Sequence, residues 1–270
     1  MPELPEVETI KNGLQFLTKK KITKVFLSDK KLRINSTIDL KNLEQLVIKT
    51  VERRARYLIL NLNDQKSLVI HLGMSGRITI AKSFENLKHD HFTCEFDDGS
   101  FLIFNDPRRF GFVDLIETKN ISSHPSLITL GCEPLSEEFN EENLTQKLRN
   151  KKLNIKTTMM DNKVVVGVGN IYINESLFDT GISPLRAASS LTKNEIKKLI
   201  AAIKKILTSA IKLGGSSIND YVDSAGNSGA FQDNFKIYGR ENKKCLICNG
   251  LIKRIIQNGR STFLCNNCQK

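Results

Sequence analysis

A secondary amine beside a carboxylate can do chemistry, and the chain opens with that pair: Met1-Pro2-Glu3-Leu4-Pro5-Glu6-Val7-Glu8. Met1 precedes a small residue, so its removal is expected. Pro2 would then carry a free secondary amine. An α-amino group has a pKa of roughly 7.7–8.0, so a useful fraction is unprotonated near neutral pH. Such an amine can attack an electrophilic carbon, and Glu3 is placed to move protons for it. The same residues also read as a helix start. Pro5 suits a first turn, where a missing N–H costs little, and Glu6 and Glu8 suit the positive end of the helix dipole. Both readings hold together if the helix anchors the nucleophile.

The other chemical signal lies at the far end. Cys245-x2-Cys248 and Cys265-x2-Cys268 are two pairs on either side of a short segment. Four thiolates at this spacing suit one tetrahedral Zn²⁺, and a site with all four positions filled is structural, not catalytic. Cys94 and Cys132 stand alone, so the pattern points to a metal in a reducing compartment and not to a disulfide framework. Leu251–Gln257 and Ser261–Leu264 are expected as two strands around an Asn258-Gly259 turn. Arg260 then stands at the tip, either as an ordinary basic tip residue or as a phosphate ligand.

Three further segments carry weaker signals. His71–Gly76 and Asn105–Gly111 read as loops at strand ends. A Met, an Arg and a Phe on such loops could enter a base stack as a wedge, although spacing alone makes Met74 and Phe110 core residues. Gly167-Val168-Gly169-Asn170 lacks the full dinucleotide fingerprint. It could offer backbone N–H groups to a phosphate, or Asn170 could simply cap a helix. His89-Asp90-His91 suggests a metal pair, a phosphate contact or plain packing.

Positioning these groups requires a scaffold. Val7, Ile10, Leu14 and Leu17 recur at helical spacing, and Lys19–Lys21 close the helix. Short β-type runs follow at Ile22–Leu27, Val47–Val51, Tyr57–Leu62, Leu68–Leu72, Phe92–Phe96, Phe101–Phe104 and Phe112–Ile116, several separated by turn residues. They predict an antiparallel sandwich or flattened barrel within residues 1–130. Helical patterning then dominates. Ser136 is expected to cap a helix over Phe139–Leu148, followed by Ile171–Thr180 and Thr192–Leu213. Residues 216–235 are polar and read as a mobile loop. The fold class expected is α+β multidomain, with domains at 1–130, 131–235 and 236–270.

Of the 270 residues, 41 are Lys or Arg against 29 Asp or Glu, a net charge of +12. The charge is uneven: residues 1–144 hold 20 basic and 21 acidic side chains, and 145–270 hold 21 and 8. A basic half points to a polyanion, with nucleic acid foremost. A lysine-rich composition alone would raise both halves. No apolar run reaches the ~20 residues of a membrane span, and no secretion signal is expected.

Together these motifs resemble the bacterial formamidopyrimidine-DNA glycosylase family of bifunctional 8-oxoguanine DNA glycosylase/AP lyases. The matching stretches are Pro2–Thr9, His71–Gly76, Lys88–His91, Asp106–Gly111, Asp161–Glu175, Tyr238–Arg240 and Arg260–Lys270, in the family's order over the whole chain. The resemblance implies an N-terminal β-sandwich, a helix–two-turn–helix domain and a zinc-finger β-hairpin, with duplex DNA as partner and one structural Zn²⁺. It implies Pro2 as nucleophile at C1′ of a flipped nucleotide, loss of the oxidised purine, a Schiff base, and β- then δ-elimination. Glu3 would move protons and Glu6 support the pocket. Met74, Arg108 and Phe110 would fill the vacated stack, with Arg108 facing the orphaned cytosine. His89, Lys151, Asn170, Tyr238 and Arg260 would hold phosphates, with Arg260 also supplying a proton in δ-elimination. Lys156 would lie near the lesion, and the 216–235 loop would cover the flipped purine. A monomer acting in the bacterial cytoplasm, at the nucleoid during repair, is expected.

One position departs from the family. In Arg53-Arg54-Ala55-Arg56-Tyr57 the family usually has lysine where this chain has Arg56. Arginine still grips phosphate, but its pKa above ~12 makes it a poor proton shuttle. Arg56 is therefore expected to contact DNA, with base excision kept and elimination slowed. Two rival readings remain: a DNA-binding module without catalysis, and an enzyme for oxidised pyrimidines.

Overall fold

Helix α1 (Leu4–Gly13) begins where the opening residues allow it. Glu3 is its N-cap, Pro5 sits in its first turn, and Glu3 and Glu6 form a reciprocal capping box. Val7, Ile10, Leu14 and Leu17 are buried in one cluster with the strands that follow. The computed structural model describes residues 2–217 and 221–270.

Eight strands form two four-stranded antiparallel sheets. They are β1 (Ile22–Leu27), β2 (Ile48–Arg54), β3 (Tyr57–Leu62), β4 (Lys66–His71), β5 (Arg77–Ala81), β6 (Asp90–Phe96), β7 (Phe101–Asn105) and β8 (Phe112–Glu117). The orders are β1-β6-β7-β5 and β2-β3-β4-β8. Leu58, Leu60 and Ile70 of one sheet share a core with Phe92, Leu102 and Phe104 of the other. Full burial of each such side chain contributes about 1.5–3 kcal/mol. The sandwich is as expected, with β5 as an additional strand.

The chain divides into two units, Met1–Ile128 with Leu213–Ala230, and Thr129–Lys212 with Phe231–Lys270. The second holds helices α2 (Glu141–Leu148), α3 (Ile155–Met159), α4 (Asn170–Asp179) and α5 (Lys193–Lys212), and strands β9 (Lys253–Gln257) and β10 (Arg260–Leu264). Ile196, Leu199, Ile203 and Leu207 of α5 are buried with Tyr172, Ile173 and Leu177 of α4. The cap expected at Ser136 is instead Asn140, whose side chain accepts the Asn143 N–H. Ser136 donates to the Glu133 carbonyl and belongs to the preceding turn. No helix of the described residues is long and apolar enough to cross a membrane.

The expected mobile loop at 216–235 is anchored in its described parts, and residues 218–220 lie outside them. Tyr221 Oη donates to the Glu6 carbonyl at 3.3 Å. The Ile80 N–H donates to the Ser224 carbonyl at 2.9 Å. Gly229 closes the neck, with its N–H on Ser217 Oγ. Phe231 packs instead in the helical unit's core.

Candidate functional site

The N-terminal pair is set into the first unit, not left trailing. Pro2 and Glu3 are both buried. Glu6 Oε2 accepts the Glu3 N–H at 2.7 Å, and Glu6 Oε1 accepts the Ser216 N–H at 2.8 Å. One carboxylate thus ties the residue after Pro2 to the 213–230 segment. Gly215 is required at this approach: its φ is +81°, and a Cβ there would stand 2.9 Å from Glu6 Oε1. Burial, then the Glu6 charge, pushes the Tyr221 hydroxyl pKa up, so it remains a donor to the Glu6 carbonyl.

Glu8 extends this mount to the β2–β3 turn. Arg53 Nε donates to Glu8 Oε2 at 2.6 Å, and Arg53 Nη1 donates to the Ala55 carbonyl at 2.9 Å. Burial raises the Glu8 carboxyl, but hydrogen bonds from Arg53 and Lys11 outweigh it and hold the pKa below the ordinary value. Ala55 adopts φ 53°, a left-handed conformation that costs a residue with a Cβ roughly 1–2 kcal/mol. That turn presents Arg56. Strand register sets Tyr57 opposite His71. Burial, then the charges of Arg56 and Arg33, lowers the His71 pKa to about 4. His71 is therefore neutral near pH 7, and its Nδ1 accepts the Gly73 N–H at 3.1 Å.

Two loops of the same unit carry exposed apolar tips. Met74 is 42% exposed and Phe110 44%, so neither is the core residue that spacing suggested. Arg108 stands over the Phe110 ring at 4.7 Å. Beneath them Asp106 is fully buried. It accepts Ser75 Oγ at 2.6 Å and the Gly111 N–H at 2.8 Å. His89 is half-exposed and its carbonyl accepts the Asp106 N–H. His91 is buried, with one ring nitrogen on the Asp106 carbonyl and the other on Ser28 Oγ. With His91 committed in this way, His89-Asp90-His91 is no metal pair, and packing is the reading that fits His91.

The second unit gathers several basic side chains. Lys151 and Arg260, both exposed, line one cavity of about 460 Å³ with Thr157, Thr158 and Asp161. Arg260 opens β10 after a turn with left-handed Asn258 and Gly259. Its neighbour Ser261 is held by two side chains: Lys156 Nζ donates to the Ser261 carbonyl at 3.0 Å and Asn170 Nδ2 at 3.1 Å. Lys156 also donates to Thr262 Oγ1 at 2.8 Å and is only 1% exposed. The resemblance places Lys156 near the lesion; in this structure its ammonium is turned onto the hairpin of its own unit. Desolvating an ammonium is costly, and here the hairpin supplies the compensating acceptors, so Lys156 holds the strand that carries Arg260. Tyr238 is half-buried, edge-on to Phe235 and Phe263. The carboxylate of Glu175 accepts three successive N–H groups, Lys236, Ile237 and Tyr238, at 2.8–3.0 Å.

The four clustered cysteines bring their sulfurs within 4.8 Å of one another. Zn–S bonds of about 2.3 Å in a tetrahedron require sulfurs about 3.8 Å apart. Cys245 and Cys268 stand at 3.8 Å and Cys248 and Cys265 at 3.4 Å, so the donor set fits zinc.

Three family models match the chain: the formamidopyrimidine-DNA glycosylase N-terminal domain over residues 1–113, the formamidopyrimidine-DNA glycosylase H2TH domain over 130–222, and the zinc finger found in FPG and IleRS over 242–270. The formamidopyrimidine-DNA glycosylase of Wolbachia pipientis wMel is 46% identical over 275 residues, covering all of both chains. This chain belongs to the formamidopyrimidine-DNA glycosylase family. Among solved family members, the Lactococcus lactis G226P mutant in complex with Fapy-dG-containing DNA has a TM-score of 0.92 at 35% identity, with all of both chains covered. A Lactococcus lactis complex with abasic-site DNA has a TM-score of 0.92 at 35% identity over 99% of each chain. The wild-type Lactococcus lactis protein with oxidised-pyrimidine DNA has a TM-score of 0.91 at 34% identity over all of both chains. The family's zinc finger, with four converging sulfurs, is a structural zinc site.

Arg56 stands in the β2–β3 turn, where its charge acts on His71. Motif reading gave no role to His71, Ser75 or Asp106 individually. An acid beside Pro107-Arg108-Arg109 was the available signal for Asp106. His71 could be linked to Arg56 only through the β3–β4 register.

Proposed function

We propose that this protein is a base-excision-repair enzyme that removes oxidised purines, 8-oxoguanine and formamidopyrimidines, from duplex DNA and then cleaves the strand. Pro2, freed of Met1, is the nucleophile. Its nitrogen attacks C1′ of a flipped nucleotide, the C1′–base bond breaks, and the base leaves. The sugar opens to a Schiff base on Pro2. Loss of a C2′ proton with departure of the 3′ phosphate is β-elimination, and departure of the 5′ phosphate follows by δ-elimination. Glu3 moves the protons and Arg260 assists the second elimination. Met74, Arg108 and Phe110 fill the vacated stack. His89, Lys151, Asn170, Tyr238, Arg260 and Arg56 grip phosphates, and Lys156 acts through Arg260's strand. The 216–235 segment covers the lesion.

The observation that carries this reading is the buried Pro2-Glu3 pair fixed by Glu6, in a chain with full-length similarity to the family. It acts as a monomer, and work at the nucleoid accords with the substrate. The proposed functional domains are 1–130, 131–235 and 236–270, with 213–230 grouped in the first compact unit and the last domain grouped with the helices in the second.

The test is a single-turnover assay on 8-oxoguanine duplex. The expected products are free base and strand ends bearing phosphate on both sides of a one-nucleotide gap. Duplex binding without cutting would instead make the protein a DNA-binding module. A second substrate class, oxidised pyrimidines, is suggested by the relative solved with such DNA. Competition with a thymine-glycol duplex measures its share.

A further inference from the structure

Asp106 has a charge that burial would make costly without partners, and its partners define an assembly. Its Oδ1 accepts the Ser75 hydroxyl at 2.6 Å, the length of a charge-assisted bond. The same oxygen takes the Arg108 N–H at 3.3 Å, and Oδ2 takes the Gly111 N–H at 2.8 Å. The Asp106 N–H reaches the His89 carbonyl at 3.0 Å, and the Asp106 carbonyl accepts the Arg109 N–H at 3.2 Å. One residue therefore joins the start of β6, the 106–111 loop and the 72–76 loop.

The two loops also meet backbone to backbone. Gly73 has φ +63°, and a Cβ on it would stand 2.5 Å from the Gly111 nitrogen and the Phe110 carbonyl carbon. A Cβ on Gly111 would stand 2.5 Å from the His71 carbonyl oxygen. Met74 lies on one loop and Arg108 and Phe110 on the other. Ser75, next to Met74, supplies the side-chain bond between them.

We propose that Asp106 is a positioning residue that makes Met74, Arg108 and Phe110 one rigid wedge, with the Ser75 hydroxyl as the bond that holds the Met74 loop to it. The proposal rests on the glycosylase reading above. Extruding a stacked base costs energy that a wedge must offset on entering. Tips that moved independently would enter the stack less effectively. An abasic site has no base to extrude, so its cleavage does not need the coupled wedge.

The experiment compares Ser75→Ala with unaltered protein under single-turnover conditions on two duplexes. One carries 8-oxoguanine opposite cytosine and the other a preformed abasic site. Rates are normalised to the fraction of protein that borohydride traps on abasic DNA, which removes any misfolded share. Base excision is expected to fall on the order of tenfold or more, as misplaced groups do, while abasic cleavage stays within about twofold. Asp106→Asn, which turns an amide toward the donors, should deepen the same split. Equal loss on both duplexes, or no loss on either, overturns the proposal. If the unaltered protein itself traps nothing, the Pro2 assignment fails instead.

Discussion

The Glu6 carboxylate accepts the backbone N–H of Ser216 at 2.8 Å across 210 positions of sequence, while its other oxygen holds the Glu3 N–H. The segment that covers the lesion in our reading is therefore fastened to the same side chain that orients the residue beside Pro2. Glu6→Gln would keep the size but turn an amide donor toward one of the two N–H groups. A lost charge-assisted bond of this kind is worth about 1.5–3 kcal/mol. Single-turnover excision should fall on the order of tenfold to a hundredfold, with zinc content unchanged.

His71 gives the first unit an acid-sensitive element. Its pKa in the folded protein, about 4, is below the ordinary 6.5, so the folded state binds fewer protons between those values. Its neutral form supports stability fully above about pH 6.5, and that support is lost as pH falls toward 4. The loss amounts to on the order of 3 kcal/mol. His71→Asn should flatten this part of the stability–pH curve, read from denaturant midpoints at pH 4–7.

Arg56 should separate the two stages of the reaction. It remains protonated and cannot shuttle a proton. Arg56→Lys is expected to leave base excision near its original rate and to speed strand cleavage severalfold. Equal rates for both proteins, with unchanged DNA affinity, would remove any special role for this position.

Zinc should matter to the hairpin and not to the sandwich. The small core around it consists of Phe178, Ile237, Cys245, Ile252, Phe263 and Cys265, too few side chains to hold a hairpin without the metal. Chelation should release one zinc per chain and weaken duplex binding at least about tenfold, through loss of Arg260 from its mount. The buried sandwich core should keep its near-ultraviolet signal. Intact-mass spectrometry and fluorescence anisotropy read both effects.

Much of the molecule is legible in local patterns. Tyr57–Leu62 is legible at its full bounds because a nearly continuous apolar run ends at the Asn63-Asp64 turn. The zinc ligands were legible because their spacing is short and chemically specific. Arg77–Ala81 is hard to read because, although Ile78 and Ile80 alternate with polar residues, five residues at a sheet edge just after a glycine loop are too few to stand out, and only Ile78 is buried. Helix α3 is equally short, and its Lys156 looks like a surface cation until Thr262 is seen beside it. Ser136 and Asn140 are both good caps four positions apart, and it is the Asn140 side chain that takes the Asn143 N–H while Ser136 serves the preceding turn. The links from Glu6 to Ser216 and from Ser75 to Asp106 join distant stretches. Nothing in either stretch alone announces the partner.

The most direct measurement is borohydride trapping on an 8-oxoguanine duplex, using protein whose intact mass verifies that it starts at Pro2. A covalent protein–DNA adduct is expected, mapped by peptide mass spectrometry to Pro2. One extra residue ahead of Pro2 should abolish the adduct while fold and zinc persist. No adduct from the correctly processed protein, or an adduct mapped to a lysine, would contradict the Pro2 assignment.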